Sequence, residues 1–80
     1  MAIKDTLQSA LQMRIDEIDM YQVNINNFKY AIEEIESGRA GDGLEEFADQ
    51  LRQLLKENVH EQRKSRLILN AIQRQLSELQ

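Results

Sequence analysis

Eighty residues make one small domain at most, and a chain that is 41% hydrophobic and 30% charged is too apolar for disorder. The formal net charge of −4 argues against general nucleic-acid binding, and the absence of cysteine excludes a disulfide framework, a thiolate zinc site and a cysteine nucleophile. Proline is also absent and the three glycines (Gly38, Gly41, Gly43) sit together, so a single stretch interrupts helix.

Met1 to Ala10 include Lys4, Asp5, Gln8 and Ser9, which is not the apolar stretch of a signal peptide. No apolar run approaches the roughly 18 residues of a membrane span. A cytoplasmic protein with no membrane contact is the expectation, and the lack of cysteine fits a reducing compartment.

The first element is predicted over residues 5–37. Leu11, Ile18, Ile25 and Ile32 form one column of a heptad pattern; Leu7, Arg14, Tyr21, Phe28 and Ile35 form the other. Alternating steps of four and three average 3.5 residues, the period of a helix winding left-handedly around a partner. Asp5 is the expected cap, with Gln8 three residues on completing a capping box. Gly38 suits the left-handed position just past the helix end.

A connection over 38–43 follows, short enough to join antiparallel neighbours. Asp42 is the expected cap of the second helix, predicted over 44–79, with Glu45 and Glu46 against its positive end. Its columns are Leu44, Leu51, Asn58, Ser65, Ile72, Leu79 and Ala48, Leu55, Gln62, Leu69, Leu76; Phe47, Leu54 and Ile68 widen the stripe. The fold class that follows is all-α: residues 1–80 as one antiparallel, coiled-coil-like helical hairpin.

Two helices bury a single seam, which rarely holds so small a domain together unaided. Met13, Met20, Val23 and Tyr30 lie nearly opposite the Leu11–Ile32 column, and a helix apolar on two faces is usually buried on both. These four residues are the expected oligomer interface, most simply of a dimeric four-helix bundle. Scattered surface apolar residues are the plainer reading.

Folding the chain about Ala40 brings Arg14 and Tyr21 opposite Asn58, Gln62 and Ser65, flanked by Glu17 and Glu61. A polar section in an apolar seam fixes register and oligomer state, or else lines a small-ligand pocket; too few apolar and aromatic walls surround this one for a pocket. The expected pairs are Arg14 with Glu61 or Glu17, and Tyr21 with Asn58 or Gln62.

Chemistry is poorly supplied. Glu57 and His60 have the Glu-x-x-His spacing of carboxylate-bridged metal bundles, yet they fall on the outward face, where a solvated histidine is the simpler reading. The glycines lack a preceding strand and a Gly-Lys-Ser/Thr ending, so they form no phosphate loop. No nucleophile–histidine–carboxylate set can be built around the single His60. Neither enzyme activity, a cofactor, a bound metal nor a small-molecule substrate is expected.

Charge is unevenly placed. Residues 1–36 carry Lys4, Arg14 and Lys29 against seven anions, whereas residues 52–80 carry six cations against Glu57, Glu61 and Glu78. Arg52, Lys56, His60 and Arg63 recur at helical spacing on one outer face, joined by Lys64 and Arg66. This stripe is the expected partner-binding face. Its counterpart is an acidic protein surface or the acidic first helix of a second copy; the alternative is a nucleic-acid backbone. Glutamates interrupt the stripe and no aromatic lies among its cations to stack on bases. The function expected is that of a non-enzymatic protein–protein interaction module, such as a regulator, inhibitor, chaperone or adaptor. A helical nucleic-acid binder comes second and a metal-binding bundle third. In size and hairpin layout the chain resembles the small RNA-binding hairpins of plasmid copy control and the small co-chaperones of secretion systems. The resemblance is architectural, and architecture alone does not give function.

Overall fold

Two long helices fold back on one another, as the seven-residue repeat requires. The structure, a computed structural model, describes residues 2–79; Met1 and Gln80, the ends of the predicted domain, lie outside them. α1 runs over Ala2–Glu36 and α2 over Glu45–Glu78, and among the described residues there is no strand. The hairpin measures 59 × 15 × 14 Å, as expected for about 35 residues rising 1.5 Å each. No helix of the described residues is long and apolar enough to cross a membrane.

The buried residues follow the heptads. Ile18, Ile25 and Ile32 of α1 face Ala48, Leu51 and Ile72 of α2, with Gln62 and Ser65 buried between them. Leu7, Leu11, Arg14, Tyr21, Phe28 and Ile35 are half-buried along the same seam. A further row, Ala10, Glu17, Asn24 and Ala31, is also half-buried. It sits one step round α1, and its small or polar side chains give it no hydrophobic signature.

Several boundaries differ from the sequence expectation. α1 begins at Ala2, so Asp5 lies within the first turn and is not its cap. Ala2, Ile3 and Lys4 carry nothing that breaks a helix, and the Asp5 carboxylate still sits near the positive helix end. At the far end, the Ser37 hydroxyl donates to the Glu34 carbonyl at 3.1 Å and the Gly38 amide to Ile35 at 3.2 Å. Gly38 takes a φ of 83°, which an L side chain resists.

Asp42 does not cap α2. The cap position is Leu44, which makes no side-chain capping bond. Gly43, at a φ of 85°, turns the chain between Asp42 and the helix start. Glu45 and Glu46 in the first turn supply the negative charge there. The connection therefore spans 37–44 and α2 stops at Glu78, leaving Leu79 past the helix and about half exposed. Phe47, Leu54 and Ile68 also stay 40–48% exposed, outside the seam they were expected to widen.

Candidate functional site: a polar layer and two open faces

The two halves of the polar layer meet through hydrogen bonds that fix the register. Ser65 donates from Oγ to Oε1 of Glu17 at 2.7 Å, and Asn24 Nδ2 donates to Oδ1 of Asn58 at 3.2 Å. Both pairs place the turning point at residue 41, one position beyond Ala40. Arg14 Nη1 reaches both carboxylate oxygens of Glu17 at 3.2 Å, with each side chain about one-third exposed. Glu17 thus joins the two helices, holding Arg14 on its own helix and Ser65 on the other.

Gln62, only 8% exposed, donates from Nε2 to the Ile18 carbonyl at 3.1 Å and to Oε1 of Gln22 at 3.0 Å. Asn58 Nδ2 turns back to the Leu54 carbonyl at 2.8 Å. Among the described residues, Asn58 and Gln62 take these partners and not Tyr21. Tyr21 is half-buried in the seam, immediately before Gln22 and about one turn before Asn24. No buried side-chain nitrogen or oxygen of the described residues lacks a hydrogen-bond partner. A layer so completely paired has the chemistry of a register device, because unpaired polar groups in that seam would cost about 1–3 kcal/mol each.

The sequence reading missed Gln22 and Asn24 as partners. For Asn24 the available signal was the seven-residue spacing of Ala10, Glu17, Asn24 and Ala31 beside the apolar columns; Gln22, on the other side of the seam, belongs to no such row. The row is easy to overlook because hydrophobic periodicity does not register small and polar residues.

The basic stripe lies on the outer face of α2, and all six of its residues are exposed. It is not uniformly available. Arg52 is held by Asp49 at 2.8 Å and by Glu36 of α1 at 3.5 Å. Lys64 pairs with Glu61 at 2.9 Å. Among the described residues Lys56, Arg63 and Arg66 take part in no ion pair. His60, Arg63, Lys64 and Leu67 line an open dent of about 330 Å³. It is formed by the side chains of a single helix, so it is a surface feature and not an enclosed cavity. A comparable hollow of about 290 Å³ beside the connection is lined by Ile35, Glu36, Glu45, Ala48, Asp49 and Arg52, and ion pairs cross it.

Glu57 and His60 stand on this outward face, both exposed. Among the described residues no three histidine or carboxylate side chains gather as a metal site would require. Met13, Met20, Val23 and Tyr30 are 52–70% exposed on the hairpin. They form two neighbouring columns of α1, Met13 with Met20 and Val23 with Tyr30. Comparison with protein-family models, with curated proteins and with solved structures found no match for this chain.

Proposed function

We propose that the chain is a non-enzymatic protein-interaction module. In this reading the hairpin self-associates, most simply as a dimeric four-helix bundle, and offers the outer face of α2 to an acidic protein partner. The observation that carries it is the set of cations on that face, Lys56, Arg63 and Arg66, which have no anion partner among the described residues. They stand on one helix beside Leu67, which is 70% exposed. Unpaired cations around an apolar anchor suit an acidic amphipathic surface. The rigid helix supplies them without the ordering cost that a loop would carry.

The test is capture of partners from the native cell after nuclease digestion, using the wild type and a Lys56→Glu, Arg63→Glu double variant. The expected outcome is a protein partner retained by the wild type and lost by the variant, with circular dichroism unchanged. Surface changes of this kind alter stability by only about 0.5 kcal/mol. Loss of all partners on digestion, together with duplex binding that weakens steeply as salt rises, would assign the face to nucleic acid instead.

A further inference from the structure

We infer that one flank of the hairpin, formed by Met13 and Met20 of α1 with Phe47, Leu54 and Ile68 of α2, is the seam against which a second copy packs, α1 of each copy lying beside α2 of the other. The inference rests on the self-association proposed above and specifies its face and arrangement.

The flank is identified by the bonds that cross between the helices. Glu17–Ser65 and Asn24–Asn58 set the row Ala10, Glu17, Asn24, Ala31 beside Asn58 and Ser65. Residues three and four apart share a helix face. Met13 and Met20 therefore border that row on α1, while Leu54, Glu61 and Ile68 border Asn58 and Ser65 on α2, with Phe47 one heptad before Leu54. The opposite flank is marked by Gln22–Gln62 and Glu36–Arg52. It carries Lys29 with Arg52 and Arg66, the edge of the basic stripe nearest α1, and the less exposed Ile15 and Val59 at 36% and 38%. Five of the large apolar side chains left open on α1 and α2, Met13, Met20, Phe47, Leu54 and Ile68, thus fall on one side. Ala10 and Ala31 between them leave room for close approach. Val23 and Tyr30 lie one column further out, at its rim.

Area points to an occupant of this size. The chain exposes 6057 Å², whereas a compact monomer of 9.4 kDa exposes about 5,000 Å². A flank of 59 × 15 Å offers about 900 Å² to a partner, against about 800 Å² per partner in a standard stable interface. The radius of gyration is 17.8 Å, where a compact chain of this length has about 12 Å. A second hairpin laid on the flank would bring the surface left open on each chain down to about 5,000 Å² and would thicken the rod without lengthening it.

Charge selects the arrangement. A two-fold axis along the long dimension puts α1 against α2 of the other copy, with both connections at one end. An axis across the hairpin puts α1 against α1. Residues 1–36 hold seven anions and three cations, and residues 52–80 hold six cations and three anions. Neighbouring helices in a bundle lie about 10 Å apart, within the screening length of about 8–10 Å or close to it. The first arrangement sets the net-acidic α1 against the net-basic α2 throughout, with Arg52 and Arg66 acting from the far side of α2; both arrangements make every neighbouring pair antiparallel, so net helix charge alone separates them.

The experiment is sedimentation equilibrium on the whole chain, with circular dichroism alongside. The wild type should run at twice 9.4 kDa. Leu54→Asp or Ile68→Asp should weaken association by at least about 10-fold, whereas Tyr30→Asp should leave it nearly unchanged. A wild-type monomer at about 100 μM, where interfaces of this size are saturated, would sink both the self-association reading and this inference. A wild-type dimer split by Tyr30→Asp and indifferent to Leu54→Asp would leave that reading standing and overturn the face. If Leu54→Asp and Ile68→Asp unfold the chain, engineered thiols decide, since the protein has none of its own. Mixing Met13→Cys with Ile68→Cys should give an intermolecular disulfide, and Met20→Cys alone should not. Self-linking of Met20→Cys without the mixed disulfide would overturn the arrangement.

Discussion

Glu17 is the residue that ties Arg14 and Ser65 into the polar layer. Its carboxylate accepts from Arg14 at 3.2 Å and from the buried Ser65 hydroxyl at 2.7 Å. Glu17→Ala leaves Ser65 without that acceptor, at a cost of about 1–3 kcal/mol. Ser65 can turn back to the carbonyl four residues earlier, which places the expected loss near the lower end. Urea unfolding should show it, and the Glu17→Ala, Ser65→Ala pair should be less destabilised than the two single losses combined. Additive losses would mean that the hydrogen bond contributes nothing. Gly41 presents a different case. A side chain there would meet nothing within 4 Å, yet its φ is 89°. Gly41→Ala should therefore cost about 1–2 kcal/mol through backbone strain alone, while Gly41→Asn, which tolerates the left-handed region better, should cost less. Equal losses in the two variants would refute the strain account.

At the scale of the helices, much of the seam was legible in the sequence. Ile18, Ile25, Ile32, Ala48, Leu51 and Ile72 are buried where the seven-residue columns placed them, because burial in a two-helix seam depends on little except angular position. The helix ends were less legible. Asp5 and Asp42 have the side chains of caps, but nothing in Ala2–Lys4 stops α1 from starting earlier, and Gly43 turns the chain before α2 begins. The pairing of Gln62 was hidden for another reason. Its partners Gln22 and the Ile18 carbonyl carry no hydrophobic signal, whereas Tyr21 stands in the heptad column itself. For α2 the stripe of cations was visible, but its neutralisation was only partly so, because Glu36 reaches Arg52 from the other helix. Arg52→Glu should consequently disturb the end of the hairpin near the connection, whereas Arg63→Glu should not. Thermal unfolding should place the Arg52 variant below the Arg63 variant. The reverse order would show that the Glu36 and Asp49 contacts contribute no stability.

For the molecule as a whole, the controlling fact is that a single reversal of the chain joins two helices of nearly equal length. Sequence separation across the seam grows steadily away from it, from 34 residues at Asn24–Asn58 to 48 at Glu17–Ser65. Such a molecule can close like a zip. Bringing Ile32 to Leu51 closes only a short loop, and each later pair joins chains already held side by side, so the added loop entropy is small. Opening runs the other way, from the end of the hairpin remote from the connection, where Ile3 and Leu79 are more than half exposed, towards the glycines. Amide exchange should then slow progressively from Leu7 and Leu76 towards Ile32 and Leu51. A step at Gln62 would mark the hydrogen-bonded layer as a catch in the zip. Uniform protection along both helices would mean that the hairpin opens all at once, and that neither end is ever loose enough to be the first point of attack for a protease.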